Sequence, residues 1–169
     1  TAHRQLHGWA CFVAGGLLAA FWASGPAAFT QAAEAAKPAN SPQEALYQYA
    51  DAASFQNNSK FDLAAEEWES FLKKFPKDPL AAKAQHYLGV CQLQLKRFDK
   101  AATAFEAVVK NHPQFDLIED AYLNLGWCQY SLAGQKVEGA YAKAAATFAD
   151  LVKKFPDSKH TEQALFFWG

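Results

Sequence analysis

The sequence predicts an all-α protein, a stack of helix pairs preceded by an apolar signal or anchor helix. Three observations carry that prediction. A stretch running from an aromatic–Pro pair to a Gly recurs three times at constant length. Between the recurrences, Ala and an aromatic four residues later repeat in fixed register. At the N-terminus, residues 5–33 hold no Asp, Glu, Lys or Arg.

The uncharged opening comes first. Trp9–Trp22 is a 14-residue apolar run that follows His3, Arg4 and His7. Gly25-Pro26 and small residues lead to Thr30-Gln31-Ala32. A basic start, a short apolar centre and a small-residue exit are the marks of a secretory signal peptide. Residues 1–32 are therefore expected to be a signal peptide cut after Ala32. The alternative is an uncleaved membrane anchor, with residues 8–29 helical across roughly 30 Å of hydrocarbon. Gly15-Gly16 and Gly25-Pro26 weaken that helix. Both readings export the rest of the chain, to the periplasm or to a membrane-anchored position facing it. No Met occurs, even at position 1, so the natural start is expected to lie upstream.

Residues 33–41 are Ala/Pro-rich without large apolar groups and read as a linker. Ser41-Pro42-Gln43-Glu44 then resembles a helix start in which Glu44 reaches back to the Ser41 amide.

From there the repeat takes over. Pro76 to Gly89, Pro113 to Gly126 and Pro156 to Gly169 each span 13 residues. Ala64/Trp68/Pro76, Ala101/Phe105/Pro113 and Ala144/Phe148/Pro156 share one spacing. Residues four apart lie on one helix face. A small residue lets a neighbouring helix approach, the aromatic fills the space beside it, and Pro cannot continue the helix. Units of this length, each unable to bury its apolar face alone, form a solenoid. The third unit spends 19 residues from Leu125 to Ala144 where the second spends 13 from Leu88 to Ala101. Gly134 is expected to end the first helix of that unit, with a longer turn or helix extension over Lys136–Tyr141.

Leu88-Gly89, Ala101-x3-Phe105 and Pro113 resemble the tetratricopeptide repeat, as do Leu125-Gly126, Ala144-x3-Phe148 and Pro156. The resemblance covers residues 42–169 and implies a right-handed superhelical solenoid, with units at 42–76, 79–113, 116–156 and a truncated fourth from 158. Repeat lengths of 37 and 43 exceed the standard unit, as in bacterial envelope proteins of this type. FPDSKHTEQALFFWG (155–169) is similar to the periplasmic repeat domain of the Tol–Pal cell-division coordinator and to the repeat lipoprotein of the barrel-assembly machine. The lipoprotein match is the weaker, because Cys11 precedes the apolar run's centre instead of following it. Some positions depart from the pattern: Asp51-Ala52 replaces Leu-Gly in the first unit, and Gln92 and Gln129 stand where Tyr is expected. The apolar run Leu165–Trp168 leads to the expectation that further repeats follow Gly169.

Composition excludes several classes. The chain of 169 residues is 51% hydrophobic and 20% charged with net charge -1, which suits a folded domain and not a nucleic-acid binder. No nucleophile–base set, phosphate loop or dinucleotide fingerprint occurs, so catalysis and cofactors are not expected. No metal is expected either, since His86 and His160 lack partners at ligand spacing. Cys91 and Cys128 are one repeat apart, and neighbouring helix axes about 8–10 Å apart oppose a disulfide. His112 precedes Pro where Phe75 and Phe155 stand elsewhere, and is expected to act as a half-buried aromatic.

What the resemblance implies about function is a concave face of first helices that holds a protein or peptide. Carried over by position, the candidates are Tyr49, Ala53 and Gln56 in the first unit, His86, Val90 and Leu93 in the second, and Leu123, Trp127 and Tyr130 in the third. Trp127 has a second reading, as packing between repeats. The expected function is a non-catalytic scaffold in the cell envelope, related to the Tol–Pal system. A membrane contact is expected only through residues 8–29 if they are not cleaved. The alternatives are an outer-membrane assembly component, a structural spacer, or the repeat segment of an enzyme whose catalytic domain lies beyond residue 169.

Overall fold

A computed structural model describes residues 42–168. The signal or anchor segment, the linker, Ser41 and Gly169 lie outside the described residues. Within them are seven helices and no strand: α1 (Gln43–Asn57), α2 (Phe61–Lys74), α3 (Ala81–Gln94), α4 (Phe98–Asn111), α5 (Ile118–Gly134), α6 (Ala140–Lys154) and α7 (Thr161–Trp168). Consecutive helices pack against one another along the whole series. α1/α2, α3/α4 and α5/α6 form three pairs, and α7 begins a fourth.

The two helices of a pair are built differently. The second helices carry one apolar stripe, such as Ala101, Ala104, Phe105 and Val108 on α4. Their last turns are basic, with Lys73 and Lys74 on α2, Lys110 on α4, and Lys153 and Lys154 on α6. Those cations complement the negative helix end. The first helices α3 and α5 each pack against second helices on both sides, and their apolar residues spread around the axis. α5 buries Ile118, Ala121, Tyr122, Leu125, Gly126, Cys128 and Ala133.

Glycine decides how closely the helices of a pair approach. A Cβ added to Gly89 would sit 2.8 Å from the Phe105 ring, and one added to Gly126 would sit 2.5 Å from the Phe148 ring. Neither leaves room for a methyl group. Ala144 and Phe148 are both buried against this contact, which preserves the register despite the longer third unit.

One turn closes all three pairs. After α1, the Ser59 N–H donates to the Gln56 carbonyl and the Lys60 N–H to the Phe55 carbonyl, both at 2.9 Å. Lys96 and Arg97 repeat this after α3, and Lys136 and Val137 after α5. This is the two-bond Schellman closure of a helix end, which needs a left-handed residue. Ser59, Lys96 and Lys136 supply it, with φ of 57°, 57° and 64°. Gly134 is indeed the last residue of α5, but the left-handed position falls two residues later, on Lys136. The extra residues of the third unit divide between a longer first helix, 17 residues against 14 in α3, and a longer turn that enters α6 through left-handed Gly139.

The loops between pairs match as closely. Phe75, His112 and Phe155 adopt nearly one backbone conformation at the ends of α2, α4 and α6. Each carbonyl accepts the N–H three residues on, from Asp78, Phe115 and Ser158. His112 is half-buried there, as Phe75 and Phe155 are. At the start of α1, the Glu44 carboxylate pairs with Lys74 of the antiparallel α2, and the contact expected between Glu44 and the Ser41 amide lies outside the described residues. Cys91 and Cys128 are buried free thiols, and burial pushes both up to about 12.

Candidate functional site

The candidate residues fall into two groups once the helices are packed. Tyr49, at 8% exposure, points inward and meets the edge of Trp68 at 4.8 Å and of Phe71 at 5.9 Å. His86, at 5%, is enclosed by Tyr87, Phe105 and Phe115. These two belong to the core, and the expectation that they line an open face is corrected. The cause is the aromatic residues around them, which close over a position that in α5 is occupied by half-buried Leu123. Gln56 is half-buried and occupied. Its side-chain oxygen accepts the Trp68 indole N–H at 2.9 Å and the Cys91 thiol at 3.4 Å. Ala53 beside it is also half-buried.

The second group is open to solvent. Val90, Leu93 and Leu123 are half-buried with their inner sides on the core. Trp127 and Tyr130 are 38% and 37% exposed. Their rings lie nearly parallel, 17° apart with centroids at 6.0 Å. Phe167 of α7 meets Trp127 edge-on at 5.1 Å and Tyr130 at 5.4 Å. Tyr141, at the start of α6, meets Tyr130 at 5.6 Å. Trp127 thus has one side packed between repeats and the other facing solvent.

Phe167 and Tyr141 were not among the candidates. Phe167 stands two residues before Gly169, as Tyr87 stands two before Gly89. Each packs on the aromatic of the preceding second helix, Tyr87 on Trp68 at 5.7 Å and Phe167 on Phe148 at 5.8 Å. That shared position is a signal in the sequence. Tyr141 has none, because the lengthened turn brings it to Tyr130.

The opposite side of the third unit holds a shallow cavity of about 360 Å³ between α4, α5 and α6, with Glu106, Lys110, Tyr122, Gln129, Thr147 and Asp150 on its walls. Several of its polar groups are already paired. The Thr147 hydroxyl donates to Gln129 Oε1 at 2.7 Å, and Lys154 Nζ donates to the Tyr122 hydroxyl at 2.6 Å. That hydroxyl, and to a lesser degree Asp150, holds the Lys154 ammonium above its ordinary pKa. Among the described residues no group of three or more His, Cys, Asp or Glu is arranged to hold a metal ion. No helix among them is long and apolar enough to cross a membrane.

Paired helices with a small residue under an aromatic, one closing turn and one connecting loop define the unit. Two family models described as tetratricopeptide repeat match residues 49–116 and 120–158. The chain carries tetratricopeptide repeats. No curated protein matches it. Tetratricopeptide repeats are generally non-catalytic scaffolds for protein or peptide partners, and the all-helical stack is consistent with their solenoid.

Proposed function

We propose that this chain is a protein- or peptide-binding scaffold of the cell envelope, and that its partner lies along the first helices at Val90, Leu93, Leu123, Trp127 and Tyr130, flanked by Phe167 and Tyr141. The observation that carries the proposal is the half-exposed aromatic surface of Trp127 and Tyr130. Large aromatic side chains partly open to water and held by neighbouring rings are the usual anchors of an interface. The envelope location rests on the uncharged N-terminal segment, and a role in the Tol–Pal system on the resemblance of residues 155–169.

Photo-cross-linking amino acids at Tyr130 and, on the opposite side, at Glu106 test the face. The expected result is a discrete cross-linked partner from Tyr130 and none from Glu106. Trp127→Ala should weaken that partner's affinity about 30-fold, the equivalent of about 2 kcal/mol for a hot-spot aromatic, with helical content unchanged. If Trp127→Ala unfolds the repeats, the residue is core. If it folds and binds as the parent does, the partner lies elsewhere. Export is tested by fusing residues 1–43 to a reporter active only outside the cytoplasm. A silent, normally expressed reporter rejects the envelope location.

A further inference from the structure

His86 is the one buried histidine among the described residues, and its setting differs from that of its counterparts. Tyr49 and Leu123 hold the same place in the first and third units, and neither takes up a proton. The His86 ring lies 5.6 to 5.8 Å from the rings of Tyr87, Phe105 and Phe115. Its Nδ1 is buried without a hydrogen-bond partner. Phe115 is what closes this shell from the connecting loop. The other two loops place Asp78 and Ser158 there, whose side chains accept the Leu80 and His160 N–H groups. At this joint alone an aromatic replaces the polar cap.

The charged groups around the ring do not accommodate a proton. α4 contributes Phe105 and the loop contributes Phe115, both apolar. Tyr87 is the titratable neighbour on α3, and burial pushes its hydroxyl up, so it stays neutral. α5 contributes Asp120, whose Oδ1 is already 2.9 Å from His160 Nε2 and 4.0 Å from Lys159 Nζ.

We propose that His86 makes the joint between the second and third helix pairs acid-sensitive, so that mild acid loosens α3 from α4 and from the loop leading to α5. Burial lowers the His86 pKa, and the opposing pull of Asp120 is smaller. The unfolded chain therefore takes the proton below about pH 6.5 while the folded chain does not. Stability is full above that value and falls as pH drops toward the folded-state pKa. Should the first-helix face bind its partner as read above, acid would release it, since α3 and α5 share that face. The sensitivity of the joint does not depend on that reading.

Two measurements on the full chain test it. Urea unfolding at about pH 7.5 and about pH 5 compares the parent with His86→Leu, the residue that position 123 already carries. The parent's folding equilibrium should fall by up to about tenfold per pH unit more than the variant's. Amide protection in α3 and α5, taken relative to the intrinsic exchange rate at each pH, should fall with acid in the parent and not in the variant. Equal pH dependence in the two chains overturns the proposal. If His86→Leu does not fold, an NMR titration of the parent decides. A His86 ring that stays neutral down to the unfolding transition supports the proposal, and one that titrates near 6.5 in the folded chain overturns it.

Discussion

The first and third helix pairs share one plan and differ in what they leave open. In the first pair Ala52 stands at the glycine position, and Trp68 fills the place of Phe148. Gln56 is turned inward onto the Trp68 indole. In the third pair Gly126 lets α6 approach, Phe148 fills the gap, and the residue matching Gln56 is Tyr130, half in solvent. Ala53 of the first pair becomes Trp127 in the third. One end of the first-helix face is small and tied into the core, while the other is aromatic and accessible. A repeat position therefore fixes where a side chain starts, and its neighbours fix whether it ends in the core or at the surface.

The strongest way to break this comparison is Gly126→Ala, which asks the third pair to accept the residue the first pair uses. The added methyl meets a fully buried ring at 2.5 Å, so α5 and α6 must separate. A loss of about 1–3 kcal/mol is expected, as for overpacked cores. A urea midpoint unchanged from the parent would show that the two pairs tolerate the same spacing.

Gln56→Leu tests the closed end. Without the Gln56 oxygen, the Trp68 indole N–H and the Cys91 thiol lose their shared acceptor. The expected cost is about 1 kcal/mol, read by thermal melting. A melting temperature at or above the parent's would mean that Gln56 contributes nothing to closing the first pair.

A smaller effect separates the second pair from the third. Gln92 and Gln129 occupy matching positions. Gln129 Oε1 accepts the Thr147 hydroxyl, whereas Gln92 Oε1 is buried with no partner, because Ala104 stands where α6 has Thr147. Ala104→Ser should supply the missing donor and raise stability by about 0.5–1 kcal/mol in urea titration. A loss instead would mean that the buried site has no room for the hydroxyl.

These differences mark how much could be read without coordinates. The helix pairs, the aromatic–Pro closures and the small-residue contacts at Gly89 and Gly126 were legible, because each rests on a spacing along one helix. The place of His112 was legible for the same reason. The fate of the first-helix candidates was not. Tyr49 and His86 share a repeat position with Leu123, and spacing alone assigns all three to one face.

Local chemistry in the sequence determined the helices, their ends and their register, since periodicity, Pro and small residues act over one or two turns. Only the tertiary structure decided that His86 is sealed by Phe115 of a loop 29 residues on. It alone decided that Gln56 bridges to Trp68 and Cys91, and that Phe167 and Tyr141 join Trp127 and Tyr130. Exposure depends on which side chains from other helices arrive beside a residue. That is set by the volumes and shapes that meet between repeats, not by the pattern within any one of them.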